Sequence, residues 1–89
     1  MKYKLKVYST EWCSECRFVK KQLEDNGIEF EVVDLDKHPE EADAHNIDEM
    51  PVIIAFNGDK EESKWTATCG NVLSWVKFLE TWYDYRRTN

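Results

Sequence analysis

The hydrophobic pattern changes its period near residue 10, and this change narrows the folds open to the chain more than any other feature. Residues 2–8 alternate charged and bulky side chains, which is typical of a half-buried strand. From about Ser14 to Asn26 apolar residues recur at helical spacing, and Gly27 suits the end of a helix. The predicted core-facing residues of these two elements are Tyr3, Leu5, Val7, Phe18, Val19 and Leu23. The chain therefore begins with a strand, a loop and a helix.

Five further elements are predicted downstream. In order they are a strand from Phe30 to Leu35, a short helix opening at His38-Pro39-Glu40-Glu41, a strand from Val52 to Phe56, a strand from Glu61 to Thr66, and a helix after Asn71. The third strand is a continuous apolar run, which indicates burial on both faces. Asn57-Gly58 predicts a hairpin turn between the third and fourth strands. The predicted core-facing residues of the last helix are Val72, Trp75, Val76, Leu79 and Trp82.

This order predicts an α/β fold in which one sheet is flanked by helices. Because strand–helix–strand units close right-handed, the first two strands are expected to lie parallel. The loops at the carboxyl ends of such strands usually carry function. The loop that holds Cys13 follows the first strand and falls at that edge.

Length and charge limit the function classes. With 89 residues, we expect one domain over residues 1–89, and we expect it to be monomeric. The net charge of −6 argues against nucleic acid or an anionic membrane as partner, because phosphate binding needs clustered Lys and Arg. Neither a signal peptide nor a stretch of about 20 apolar residues is visible, so we expect a cytoplasmic protein without a membrane span.

Cys13 and Cys16 form a Cys-x-x-Cys pair where the first strand gives way to the first helix. Thiol–disulfide exchange needs one thiolate that attacks and a second thiol close enough to resolve the mixed disulfide. At a helix start, unpaired backbone N–H groups and the helix dipole favour the thiolate form of the first cysteine. The pair therefore predicts redox chemistry, with Cys13 attacking and Cys16 resolving.

Two alternatives to redox chemistry stay open: half of a zinc site, or two buried thiols that only pack. A structural zinc site needs four ligands, and outside the pair only Cys69, His38 and His45 remain. The two histidines have no evident partner and are expected on the surface. We therefore predict no metal site.

Cations and an aromatic residue flank the pair. Arg17 and Lys20 follow on the first helix, where each could stabilise the Cys13 thiolate or simply be solvated. Glu15, between the cysteines, should oppose that effect weakly. Trp12 could shield the sulfur, contact a partner protein or cover an edge of the core.

Two later segments are expected at the same edge. Met50 and Pro51 open the buried strand, where the proline marks either an ordinary trans turn or a sharp turn with a cis bond. In that place the neighbouring backbone could face Cys13 and pair with an extended substrate. Cys69 lies in the loop before the last helix, either as a secondary redox or regulatory thiol or as a tolerated cysteine. We therefore take Met50, Pro51 and Cys69 as candidate substrate-binding residues.

Three segments carry a resemblance to a known family: Val7 to Cys16, Gly27 to Phe30, and Met50 to Ile53. They resemble the glutaredoxins, and among these the glutaredoxin-like redoxins that reduce ribonucleotide reductase. The similarity extends to about Leu79. It implies a thioredoxin-like β-α-β-α-β-β-α fold with a four-stranded mixed sheet, Cys13 as nucleophile, Cys16 as resolving thiol, and Pro51 as a cis-proline beside them.

The chain departs from the family pattern at three places. Ser14-Glu15 stands where glutaredoxins usually carry Pro-Tyr, and Thr10 stands where a basic residue is common. Ala67-Thr68 replaces the Gly-Gly pair that receives glutathione, so Thr68 joins Cys69 as a candidate substrate contact. In the same loop Gly70-Asn71 replaces the family's acids, and the added side chains and lost charges argue against tight glutathione binding. The Ser14-Glu15 pair is more like the redoxin branch.

The resemblance implies a dithiol reductant of protein disulfides, with ribonucleotide reductase as the leading partner. The oxidised pair would be recharged by glutathione or by a flavoprotein such as thioredoxin reductase, without a tightly bound cofactor. One alternative is a glutathione-dependent enzyme that removes glutathione from proteins and needs only Cys13. A further alternative is a metal- or partner-binding module on the same scaffold.

Overall fold

The computed structural model describes residues 3–68 and 70–88 of the chain, and Cys69 lies outside them. The predicted order β-α-β-α-β-β-α is confirmed. The elements are β1 (Lys4–Ser9), α1 (Ser14–Asp25), β2 (Glu31–Asp34), α2 (Pro39–Ala44), β3 (Val52–Asn57), β4 (Lys60–Thr66) and α3 (Val72–Thr88). The observed bounds lie within two residues of the predicted ones: β2 is one residue shorter at each end, whereas β3 and β4 are each one residue longer.

The four strands form one mixed sheet in the order β2-β1-β3-β4, with β2 and β4 as its edges. β1 and β2 are parallel, as predicted, while β3 runs antiparallel to both of its neighbours. Tyr8 near the end of β1 is opposite Val52 at the start of β3, and Val52 is in turn opposite Thr66 at the end of β4. The segments before β3 and after β1, β2 and β4 therefore meet at the border of the sheet where β1 and β2 end. This border is the edge at which the Cys13 loop lies, as distinct from the edge strands β2 and β4.

One face of the sheet packs against α1 and α3 and holds the larger part of the core. The alternation predicted for β1 is confirmed, since Tyr3, Leu5 and Val7 are all buried on this face. The helix residues that meet them are Val19, Leu23, Val72, Trp75, Val76 and Leu79. The other face carries a second cluster of Tyr8, Val52, Ile54 and Phe56, so β3 is buried on both faces, as its apolar run predicts.

Two predicted core residues are wrong. The Phe18 side chain is 57% exposed, and the buried face of α1 is formed by Cys16, Val19 and Leu23. Trp82 is 42% exposed, and Tyr83 instead packs against the core, with its ring edge-on to Tyr3 at 5.5 Å. In both helices the residue that packs against the core is the one directly after the predicted aromatic residue, Val19 after Phe18 and Tyr83 after Trp82.

The surface position predicted for His45 is also wrong. Its side chain is only 20% exposed, and its ring centroid lies 5.4 Å from that of Tyr8 and 6.0 Å from that of Phe56. Its Nε2 is 3.2 Å from a carboxylate oxygen of Glu41, and its Nδ1 pairs with Glu61 on β4. His45 therefore ties the end of α2 to the sheet, whereas His38 is exposed as predicted.

Glycines end α1 and turn the hairpin as predicted. Gly27 follows α1 with φ +68°, and Gly58 in the β3–β4 turn has φ +66°, values that favour glycine because it lacks a Cβ.

Within residues 3–68 and 70–88, no helix has the length and apolar character needed to cross a membrane.

Candidate active site

Cys13 occupies the N-cap position of α1, directly after the loop that follows β1. Its backbone is extended, with φ −84° and ψ 110°, and its sulfur accepts a hydrogen bond from the Cys16 N–H at 3.2 Å. This N–H is one of the donors that a helix start leaves without an intrahelical partner. The Cys13 sulfur therefore lies where the backbone and the helix dipole both favour negative charge.

Cys16 lies one turn into α1 and forms a disulfide with Cys13, with the two Cα atoms 5.3 Å apart. The two cysteines differ in access, since Cys13 is partly exposed and Cys16 is completely buried. The arrangement offers one sulfur to a partner and keeps the other behind it. An incoming group therefore has access to Cys13 and none to Cys16.

The Met50–Pro51 peptide bond is cis, as the resemblance implies. Pro51 is buried immediately before β3, at the edge of the sheet where β1 leads into the Cys13 loop. Its carbonyl oxygen accepts a hydrogen bond from the Ala67 N–H at 2.9 Å, which joins it to the end of β4. The Cys13 loop, Met50–Pro51 and the segment after β4 are thus brought to one edge.

Trp12 is 68% exposed, so of its predicted roles the covering of a core edge is wrong. Its indole Nε1 donates a hydrogen bond to Asp36 Oδ2 at 3.1 Å. Asp36 belongs to the loop after β2, which the Leu35 N–H attaches to the Ser9 carbonyl oxygen at 2.9 Å. The loops after the two parallel strands are therefore linked beside Cys13.

Thr68 lies at the same edge and organises the turn that leads into α3. Its hydroxyl accepts from the Gly70 N–H at 3.2 Å, and its own N–H donates to Asn71 Oδ1 at 2.8 Å. The Thr68 side chain is exposed, so it remains available to a substrate. Cys69 lies outside the described residues, and its role stays a prediction.

The predicted thiolate-stabilising cations both lie on α1. The backbone N–H of Arg17 donates to the Cys13 carbonyl oxygen at 3.3 Å, while Arg17 itself is exposed. Lys20 is partly buried one turn further along. Their effect on the Cys13 sulfur stays a prediction. Within the part of the chain that the structure describes, no group of three or more His, Cys, Asp or Glu residues is placed to hold a metal ion.

Sequence reasoning missed Asp36 and the burial of Thr10. A signal for Asp36 existed, because it follows β2 and the carboxyl ends of parallel strands meet at one edge. Thr10 gave no such signal, since a threonine in a polar loop is usually exposed.

Tyr8, also near this edge, has its pKa raised to about 12 by burial and, to a smaller extent, by Glu41 and Glu61.

Comparison with known proteins agrees with this geometry. The family model described as Glutaredoxin matches residues 5–59. A curated relative, "Glutaredoxin-like protein NrdH" from Escherichia coli K12, is 31% identical over 55 residues, covering 58% of this chain and 68% of the relative. The solved structure of the NrdH-redoxin from Escherichia coli is 27% identical, with a TM-score of 0.59 over 72% of this chain and 82% of that one.

A second solved structure supports the fold alone. Thioredoxin from Fasciola hepatica is 20% identical to this chain and superimposes with a TM-score of 0.75. The alignment covers 90% of this chain and 80% of that one. The α/β architecture with a four-stranded mixed sheet is therefore the thioredoxin fold.

Proposed function

This chain belongs to the glutaredoxin family of thiol–disulfide oxidoreductases, and on that premise we propose that it is a dithiol reductant of protein disulfides. The observation that carries the proposal is the disulfide between a partly exposed Cys13 at the start of α1 and a fully buried Cys16. A dithiol mechanism needs both sulfurs, with the accessible one in front. An enzyme that acts through Cys13 alone would not need a buried partner in bonding distance.

In the proposed reaction the Cys13 thiolate attacks one sulfur of a substrate disulfide. The substrate S–S bond breaks, the leaving thiolate takes a proton from solvent, and a mixed disulfide joins Cys13 to the substrate. Cys16 then attacks the Cys13 sulfur, the S–S bond between Cys13 and the substrate breaks, and the Cys16 proton passes through solvent to the released second substrate thiolate. The product is the Cys13–Cys16 disulfide, and two electrons have passed to the substrate.

The substrate is proposed to lie along the edge formed by Trp12, Met50, Pro51 and Thr68. Pro51 directly precedes β3, and Trp12 and Thr68 are exposed on the segments that follow the two neighbouring strands, β1 and β4. An extended peptide could pair with backbone there while its disulfide reaches Cys13. Ribonucleotide reductase is the partner we propose, because the chain resembles redoxins that reduce it.

The electron source is proposed to be a flavoprotein of the thioredoxin reductase kind. Ala67 and Thr68 stand where glutaredoxins carry the Gly-Gly pair that receives glutathione, and Thr68 adds an exposed side chain there. In agreement, the structural study of the Escherichia coli NrdH-redoxin describes a thioredoxin-like activity profile for that glutaredoxin-like protein.

The test is an NADPH-coupled turnover assay on ribonucleotide reductase, with thioredoxin reductase in one arm and glutathione plus glutathione reductase in the other. Wild-type protein is expected to turn over with thioredoxin reductase, and both Cys13→Ser and Cys16→Ser are expected to be inactive. Full activity of Cys16→Ser with glutathione would instead show a deglutathionylating enzyme. Activity in neither arm would contradict the proposal.

A further inference from the structure

Thr10 is a polar residue buried where β1 enters the Cys13 loop. Thr10 is only 4% exposed, and among the described residues its Oγ1 has no hydrogen-bond partner in this disulfide form. A buried hydroxyl without a partner is destabilising, and such groups in a native protein require an explanation. A hydrogen-bond acceptor that is present in only one redox state of the protein would explain the unpaired hydroxyl.

The turn from Thr10 to Cys13 places these two residues together. The Cys13 N–H donates to the Thr10 carbonyl oxygen at 3.4 Å, which closes a four-residue turn over Glu11 and Trp12. The first and fourth Cα atoms of such a turn are within about 7 Å of each other. Glu11 and Trp12 at the tip are exposed, whereas Thr10 is buried and Cys13 partly buried at the base.

The acceptor strength of the Cys13 sulfur changes with its redox state. In the disulfide it is neutral and accepts weakly, but as a thiolate it carries a full negative charge and accepts strongly. We propose that the Thr10 hydroxyl donates a hydrogen bond to the Cys13 thiolate in the reduced protein. Together with the Cys16 N–H, it would give that sulfur two donors.

This inference rests on the proposed function, in which Cys13 is the attacking thiolate. When the disulfide is reduced, two electrons from the reductant break the S–S bond. One proton goes to Cys16, Cys13 stays as the thiolate, and the Thr10 side chain rotates about its Cα–Cβ bond to bring its O–H to the thiolate. The hydrogen bond exists only in the reduced form, so it makes the disulfide easier to reduce and Cys13 more reactive near neutral pH.

The donor is a neutral hydroxyl on the buried side of the loop, and this separates its effect from that of a cation. Arg17 is exposed, so any contribution from its charge should fall as salt is added. The contribution of Thr10 should be nearly independent of salt. The two sources of thiolate stabilisation can therefore be told apart in one experiment.

The test compares wild type, Thr10→Val, Thr10→Ala and Thr10→Ser. The rate of Cys13 alkylation by iodoacetamide is followed against pH at low and high salt, with peptide mapping to assign the modified cysteine. The redox equilibrium with glutathione is measured in parallel. Thr10→Val keeps the side-chain shape without the donor, Thr10→Ala is the second variant without it, and Thr10→Ser keeps it.

In Thr10→Val and Thr10→Ala we expect half-maximal alkylation at a pH about one unit higher, at both salt concentrations. Their redox equilibria should shift about tenfold toward the disulfide, or about 30 mV for a two-electron couple. Thr10→Ser should stay within about twofold of wild type. Oxidised Thr10→Val should be no less stable than oxidised wild type, because it loses an unpaired buried hydroxyl.

The inference would be overturned if Thr10→Val and Thr10→Ala both had the pH profile and the redox equilibrium of wild type. It would also be overturned if Thr10→Ser behaved like Thr10→Val. Either result leaves the proposed function intact if wild-type Cys13 is alkylated much faster than free cysteine at neutral pH. A wild-type Cys13 no more reactive than free cysteine would overturn both the inference and the proposed function.

Discussion

Trp12 Nε1 donates a hydrogen bond to Asp36 Oδ2 across 3.1 Å, and this contact joins the loop that carries Cys13 to the loop after β2. The Asp36 N–H in turn donates to Asp34 Oδ1 at 2.9 Å, which fixes the second loop at the end of its strand. The contact involves side chains 24 residues apart that are both exposed. It therefore orders the exposed surface beside Cys13 and contributes less to the core.

The first prediction concerns this pair. Trp12→Phe and Asp36→Asn should each weaken the link between the two loops, and the double variant should cost less than the sum of the single ones. Since both side chains are exposed, we expect a coupling energy of only about 0.5–1 kcal/mol. Urea denaturation of the four oxidised proteins measures it. Additive free energies of unfolding would contradict a stabilising role for the contact.

The second prediction compares the two histidines. His45→Ala removes a ring packed against Tyr8 and Phe56 together with its contacts to two carboxylates, so it should destabilise the protein by about 1–3 kcal/mol. His38→Ala is the matched control, because His38 is exposed, and it should stay within about 0.5 kcal/mol of wild type. Guanidinium denaturation provides the measurement. Equal losses for both variants would contradict the role given to His45.

The third prediction separates buried from exposed apolar residues on α1. Leu23→Ala should cost about 2–5 kcal/mol, because it leaves a cavity in the main core. Phe18→Ala removes a larger side chain but should cost less than about 1 kcal/mol, since Phe18 is mostly exposed. Thermal unfolding followed by circular dichroism would rank the two variants. The reverse ranking would contradict the core assignment.

The fourth prediction concerns alkaline pH. Burial raises the pKa of Tyr8 from 10.0 to about 12 in the folded protein, so the folded state keeps a proton that the unfolded state loses. The resulting stabilisation is complete below pH 10 and is lost as the pH rises through 12. The free energy of unfolding of Tyr8→Phe should therefore fall less steeply between pH 10 and 12 than that of wild type. Parallel curves would contradict the raised pKa.

The order of elements could be predicted because each strand and helix carries its own periodic pattern, bounded by Gly, Pro or Asn. The errors lie where another element decides which residues are buried. Phe18 is next to Val19 in the sequence, yet the row that meets the sheet proceeds by steps of three and four through Cys16 to Leu23. Cys16 is assigned only a chemical role from the sequence, so its place in the buried row of α1 is not used to predict which residues face the core.

The site could be predicted as far as its chemistry is local. Cys13, Cys16 and Pro51 could be placed at one edge because the strand order brings their loops together. The partner of Trp12 could not be predicted, since it lies 24 residues away, and neither could the contact of His45 with Glu61 on β4. Contacts of this kind depend on how the loops pack, and no local pattern records them.

The two edge strands of the sheet bear on how copies of the protein meet at high concentration. β2 is only four residues long and has an acidic residue at each end, while four of the seven residues of β4 are charged. An incoming strand from another molecule would have to bury these charges or leave them unpaired. The open edges therefore disfavour aggregation by strand addition.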